Sequence, residues 1–308
     1  MRLRRGVLTR AHDWVGSMLR NAAGRIAVAC VGMITAGSLA CAEPIEGRLK
    51  IIRDTATLRI GYRTDSPPFS FLDPVERRPV GYTIELCGRV AKSIEKALAL
   101  KTLAIRWVAV DASTRFDAIV NGTADMECGS TTVSLSRLRQ VDFSNLVFAE
   151  STGVLVKSTI GVNRFDDMRG KSIGVVPGTT NARAVRDQVT RRKIDVRVIE
   201  FPGREEGVAA LARGEVDGFA TDKSVLLSLA ESAGAKNVTL LPEDLSFEPF
   251  AIMLPRNDAD FRLAVNTGLA QVFRSGEIIE IYSKYFSGVT PHPSVWLGAV
   301  FTFGALPE

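Results

Sequence analysis

The chain has 308 residues, 46% of them hydrophobic, with 39 Lys and Arg against 34 Asp and Glu. That apolar fraction excludes a disordered chain, four Cys in this length exclude a disulfide-framework miniprotein, and no apolar run reaches the roughly 18 to 20 residues that span a bilayer. Length points to about two domains.

The first feature is the uncharged run from Ile26 to Ala40 (IAVACVGMITAGSLA), with Arg20 and Arg25 before it and the small-residue pattern Ala40-Cys41-Ala42 at its end. This is the layout of a secretory signal peptide, residues 1–42, cleaved after Ala42. The basic stretch before it is long, and Met18 is an alternative start to Met1. A lipid-modified Cys41 is disfavoured by Ser38, where such sites carry Leu. Cleavage removes six Arg and one Asp and leaves 33 basic and 33 acidic residues. The pI of 9.1 therefore belongs mostly to the leader, and a nucleic-acid partner is not expected. Cys30, Cys41 and His12 leave with it. With His292 the remaining histidine, a His-based metal site or His-assisted nucleophile is not expected, and no cofactor is expected. Cys87 and Cys128 remain as one pair. An oxidising compartment permits a disulfide between them, two buried thiols being the alternative; the disulfide is favoured.

After the leader, short apolar runs alternate with helical patterns. Strands are expected at 57–62, 104–110, 124–128, 154–157, 172–176, 196–201 and 216–220. Helices are expected at about 83–97, 116–121, 181–191, 205–213 and 223–233. Two consecutive helices, 258–274 and 277–286, close the pattern. The alternation predicts an α/β fold with mostly parallel sheets. No low-complexity linker separates domains. Extended joins near 148–153 and 245–248 instead imply that the chain leaves one domain, builds another and returns.

Gly170-Lys171-Ser172 looks like the end of a phosphate loop, but Phe165 stands where a Gly is needed and a strand follows instead of a helix. It is read as a turn. Pro177-Gly178-Thr179-Thr180-Asn181 joins a strand to a helix, where hydroxyls and free helix N–H groups suit an anion; an ordinary N-cap is the simpler reading. Cys128-Gly129-Ser130-Thr131-Thr132 has the same character, and Arg137 beyond it can grip a carboxylate with two parallel bonds. Arg63 sits at a strand's C-terminal end, where ligands gather in open α/β sheets. Arg115 opens a helix against its dipole, a local conflict of the kind that marks function. Asp222, between strand and helix, can cap or receive an ammonium. Glu127, at the end of an apolar strand, is read as a paired buried charge rather than a catalytic acid.

These residues resemble the periplasmic solute-binding proteins of polar amino-acid ABC transporters, most of all the glutamate/aspartate-binding branch. The matching segments are LRIGYRTDSPPFSF, PVGYTIELC, NGTADMECGSTT with Arg137, DDMRGKSIGVVPGTT and EVDGFATD. They cover about 58–286, and NGTADMECGSTT is the most specific. The resemblance implies a two-lobed type II fold, two mostly parallel sheets flanked by helices and joined by two crossing segments. Lobe one takes 50–148 and 249–287, lobe two takes 150–247, and 288–308 forms a C-terminal tail. It further implies that Arg137, Ser130 and Thr132 hold a ligand's α-carboxylate, helped from the second lobe by Thr179 and Thr180. Asp222 receives the ammonium, and Arg63 and Arg115 read an acidic side chain. Two positions depart from the branch: Ala112 replaces a Ser or an aromatic residue, and Arg204 lies near where a His is usual. Three arginines and Asp222 roughly balance a ligand with two carboxylates and one ammonium. The expected function is capture of glutamate or aspartate by a periplasmic monomer that serves a membrane permease. An exported prephenate- or arogenate-type dehydratase using Glu127 and a ligand-sensing receptor domain are the alternatives. The apolar tail (VWLGAVFTFGAL) either packs on a lobe or contacts a partner.

Overall fold

The computed structural model describes residues 45–307 except 236, 289 and 291. The expected signal peptide, 1–42, lies outside the described residues. The elements run as α1 (Gly47–Thr55), β1 (Thr57–Arg63), the short strands β2 (Asp65–Ser66), β3 (Ser70–Leu72) and β4 (Pro79–Val80), α2 (Tyr82–Ala97), β5 (Ala104–Val110), α3 (Arg115–Val120) and β6 (Met126–Glu127). A long strand, β7 (Asp142–Lys157), leads to β8 (Lys171–Val175), α4 (Thr180–Arg192), β9 (Val196–Glu200), α5 (Arg204–Arg213), β10 (Gly218–Asp222), α6 (Lys223–Ser232) and β11 (Val238–Leu240). Then β12 (Phe247–Leu254) returns, followed by α7 (Ala259–Ser275), α8 (Glu277–Phe286) and α9 (Val295–Gly304).

The ladder runs β5-β1-β6-β12-β7-β10-β8-β9, with β11 also on β7. Within each lobe the inner strands are parallel: β1 with β5 and β6, and β8 with β9 and β10. The strands that join the lobes are antiparallel. β12 pairs with β7 from Phe247 opposite Ser151 to Leu254 opposite Asp142, and β10 and β11 pair with the far end of β7. So β7 belongs to both lobes, and the chain crosses between them twice, along β7 and back along β12. The sequence predicts a strand only at 154–157, whereas β7 begins at Asp142. Polar residues interrupt its apolar pattern: Ser144 Oγ accepts from the Ile252 N–H of β12 at 3.0 Å, and beside it the Asn145 backbone N–H donates to the Asn266 side chain at 2.8 Å.

Helices cover both sheet faces. In α2, Tyr82, Leu86, Val90 and Ile94 recur at helical spacing, and all are buried. They pack with α7 and α8 on one face of the first lobe, while α3 covers the other. In the second lobe α5 and α6 face one way and α4 the other. The roots of the two crossing strands are tied down by aromatics. Phe148 of β7 and Phe250 of β12 are cross-strand partners, and both pack on Phe69, at 4.8 and 5.2 Å between ring centroids. Phe286 stacks on Phe148 at 5.0 Å. Rings of this size contribute area and also about 0.5–1.5 kcal/mol per well-oriented pair.

Gly170 is a turn at φ +75°, and Lys171 begins β8, as expected. The tail resolves into α9, which buries Leu297, Phe301 and Gly304 on the first lobe, Phe301 stacking on Phe273 at 5.9 Å. Its other side leaves Trp296 and Phe303 exposed. Cys87 in α2 and Cys128 after β6 are joined by a disulfide, with Cα atoms 6.4 Å apart.

Candidate ligand-binding cleft

The expected site residues follow the C-terminal ends of five strands: Arg63 ends β1, Arg115 opens α3 after β5, Ser130, Thr132 and Arg137 come after β6, Thr179 and Thr180 after β8, and Asp222 ends β10. Hydrophobic strand interiors force this placement: TLRIGYR buries Leu58 and Ile60 and delivers Arg63 at its end, 1% exposed. One guanidinium nitrogen of Arg63 donates to Asp65 at 2.7 Å, while Nε and Nη1 are buried without a hydrogen-bond partner. Arg115, 2% exposed, donates from Nη1 to Thr131 Oγ1 at 2.8 Å, and its Nε is likewise unpartnered. Arg115 and Arg137 both lie against the Phe116 ring, 5.4 and 5.3 Å from its centroid.

Burial disfavours the charge on all three guanidinium groups and lowers their pKa values. For Arg115 the drop is large, and Arg137, Arg63 and Arg204 add repulsion. For Arg63, Arg204 adds repulsion while Asp65 and Glu127 oppose it. For Arg137, Glu248, Glu127 and Asp222 oppose the effect of burial. An arginine does not give up its proton in a protein, so the strain is relieved by anions and acceptors instead.

The hydroxyls and carboxylates come from both lobes. Thr132 of the first lobe lies 3.1 Å from Thr180 of the second, oxygen to oxygen. Both hydroxyls donate to Glu248 Oε2, each at 2.6 Å. Arg137 donates to the Thr132 carbonyl at 2.7 Å. Ser130 Oγ lies 3.4 Å from Ser66 Oγ and accepts from Arg204 Nη2 at 3.5 Å. Thr179 is the N-cap of α4: its hydroxyl accepts from the Ala182 N–H and donates to the Val176 carbonyl at 2.7 Å. Of the expected residues it is the one whose hydroxyl is fully engaged by its own loop, leaving the free N–H groups of the helix start for a ligand. Asp222, 1% exposed, accepts from Asn181 Nδ2 at 2.8 Å and from Arg204 Nη2 at 3.0 Å. Burial raises its pKa, the Arg204 charge opposes that, and the Glu248 charge reinforces it.

Sequence reasoning missed Asp65 and Glu248 as members of this cluster and left Arg204 without a role. Glu127 is buried; its Oε2 accepts from Thr131 at 2.7 Å, and Oε1 has no hydrogen-bond partner among the described residues. The charge tally therefore changes. Arg63, Arg115, Arg137 and Arg204 face Asp65, Glu127, Asp222 and Glu248, so the cluster is balanced by its own carboxylates. A rough match of three arginines and Asp222 to a charged ligand no longer argues for that ligand. The omission has a physical cause, since positions 65, 127, 204 and 248 meet only through the sheet. The signals available in sequence were a carboxylate at the end of an apolar strand, for Glu127, and a cation at a helix start, for Arg204. Among the described residues no His, Cys, Asp and Glu cluster could hold a metal ion.

Residues 58–288 match the sequence pattern of the bacterial extracellular solute-binding proteins, family 3. The L-glutamate/L-aspartate-binding protein of Pseudomonas aeruginosa is 34% identical over 257 residues, 81% of this chain and 83% of that protein. The glutamate/aspartate import solute-binding protein of Escherichia coli is 28% identical over 254 residues, again 81% and 83% of the two chains. Among solved structures, an ancestral arginine-binding protein bound to glutamine superposes with a TM-score of 0.67 at 27% identity, over 75% of this chain and 98% of that one. With its strand-end cluster of polar groups, its two β crossings and these relatives, the chain belongs to family 3 of the bacterial extracellular solute-binding proteins and has their two-lobed type II fold.

Proposed function

We propose that the protein binds an acidic amino acid, glutamate or aspartate, between its lobes and passes it to the permease of an ABC transporter. It acts as a periplasmic monomer after loss of residues 1–42. One observation carries this reading: Arg63 and Arg115, both buried, keep guanidinium N–H groups without a partner among the described residues. A buried donor left unmade costs about 1–3 kcal/mol, more for a charged group, and a carboxylate oxygen removes that cost. The names of the Pseudomonas and Escherichia relatives agree with an acidic ligand.

In this reading Arg137, Ser130 and Thr132 hold the α-carboxylate, with Thr180 and the N-terminal turn of α4 at Thr179 reaching it from the second lobe. Asp222 takes the ammonium, and Arg63 and Arg115 take the distal carboxylate. Lobe one comprises 50–148 and 249–287, lobe two 150–247, and 288–308 is a tail held on lobe one. Glu127 supports the cations. Its position beside Thr131 and the arginines suits a fixed counter-charge better than an acid catalyst, and turnover of prephenate or arogenate by purified protein would reverse that judgement.

Calorimetric titration tests the assignment. Arg137→Ala should weaken every amino-acid ligand, by the roughly 3–5 kcal/mol that loss of one partner of a buried charge pair costs. Arg63→Ala and Arg115→Ala should weaken glutamate and aspartate selectively and narrow their advantage over glutamine and asparagine. Equal binding of glutamine and glutamate by the wild type, or equal losses for both in these variants, would sink it.

A further inference from the structure

Arg204 is used by none of the roles above, yet it is 2% exposed and reaches both lobes. It is the first residue of α5, where the helix dipole disfavours a cation. On the second lobe its Nε donates to Thr221 Oγ1 at 2.9 Å and its Nη2 to Asp222 Oδ2 at 3.0 Å. Toward the first lobe it donates to Ser66 Oγ and, at 3.5 Å, to Ser130 Oγ, and it lies 3.8 Å from Asp65. The guanidinium thus spans the carboxylate of one lobe and the hydroxyls of the other, the place assigned above to a ligand's amino group.

We propose that Arg204 is a specificity-determining residue. It is a resident counter-ion for Asp222, so a ligand's ammonium must compete with it, and the cleft accepts dicarboxylates lacking that ammonium at least as well as the matching amino acid. This rests on the cleft reading above and widens its ligand class from acidic amino acids to dicarboxylates.

Two independent observations support it. Both oxygens of Asp222 already have donors, Asn181 on Oδ1 and Arg204 on Oδ2, and the carboxylate is enclosed. A second cation beside it would face the Arg204 guanidinium, 3.0 Å from Asp222 Oδ2. The unpartnered groups tell the same story. Arg63 Nε and Nη1 and Arg115 Nε are donors, suited to carboxylate oxygens. The unpartnered acceptor in the cleft, Glu127 Oε1, lies near the Arg63 stem: a Cβ on Gly129 would be 2.2 Å from this oxygen and 2.9 Å from Arg63 Cγ. That places it on the Arg63 side, which the reading above gives to the distal carboxylate.

L-glutamate and glutarate are five-carbon diacids that differ by the ammonium alone. Calorimetric titration of both into wild type, Arg204→Gln and Arg204→Lys tests the idea. Wild type should bind glutarate at least as tightly as glutamate. Arg204→Gln should move the glutamate-to-glutarate affinity ratio at least tenfold toward glutamate, and Arg204→Lys, which keeps a cation by Asp222, should stay nearer the wild-type ratio. A purely structural role would weaken both ligands together and leave the ratio unmoved, which would overturn the proposal. If Arg204→Gln does not fold, the wild-type ratio alone decides: tighter binding of glutamate overturns the proposal while the cleft reading stands. Binding of neither ligand would overturn both.

Discussion

At Gly129 an added Cβ would stand 2.2 Å from Glu127 Oε1 and 2.9 Å from Arg63 Cγ, both groups buried in the cleft. Neither can retreat far, because Glu127 is tied to Thr131 and Arg63 to Asp65. Gly129→Ala should therefore disturb the site before it disturbs the fold. The expected outcome is a ligand affinity at least tenfold lower, with a stability loss of about 1–3 kcal/mol, as for other overpacked positions. Titration calorimetry and urea unfolding on the same variant measure the two. A few residues away, the Cys87–Cys128 bond closes a loop with a sequence separation of 41. Chain-entropy arithmetic for a loop of that length gives about 4 kcal/mol. The Cys87→Ser/Cys128→Ser variant should lose about 2–4 kcal/mol in denaturant unfolding, and unreduced wild type should show no reactive thiol when denatured.

The element that decides mechanics is the pair of crossings, β7 and β12. Glu150 and Glu248 face each other there as cross-strand partners, yet they do different things. Glu248 gathers hydroxyls, accepting from Thr132 and Thr180 on Oε2 and from Thr152 and Ser246 on Oε1. Glu150 is half-buried, accepts from Ser224 and sits near the Asp222 charge. Burial, with the Asp222 charge adding to it, pushes its carboxyl up from 4.5 to about 7. The folded protein thus holds a proton that the unfolded chain gives up, so this group's contribution to stability falls as pH rises from about 4.5 to 7 and is level above that. The full linkage is about 3 kcal/mol, and partial solvent access reduces it to about 1–2 kcal/mol. Glu150→Gln should match wild type near pH 4 and be the more stable protein at pH 8. Unfolding curves at the two pH values check this, and a variant equally displaced at both would count against it.

At the scale of the molecule, groups from both lobes meet in one place: Thr132 beside Thr180, and Arg204 beside Ser66 and Ser130. A ligand that touches both lobes favours the arrangement in which all its contacts form at once. Saturating glutamate should reduce the radius of gyration in small-angle scattering. At a hundredfold excess over Kd it should raise unfolding stability by about 2.7 kcal/mol. Stabilisation without compaction would separate binding from closure and argue against the hinge.

The alternation of apolar strands and amphipathic helices was legible along the chain because burial leaves a local period. That is why β1, β5, α2, α4 and α8 lie within a residue or two of where the pattern puts them. Arg63, Thr132, Arg137 and Asp222 were legible as candidates because ligand groups collect at strand ends, and strand ends can be read from sequence. The length of β7 and the helical form of the tail were not legible. A strand interrupted by Ser144 and Asn145, its burial following no alternation, has no local period, and α9 is apolar on nearly every side. Which charges meet was decided by tertiary structure alone. Arg204 lies 138 residues from Ser66, and Glu248 lies 116 from Thr132. Electrostatic pairing depends on distance in space, and the sheet order sets that distance.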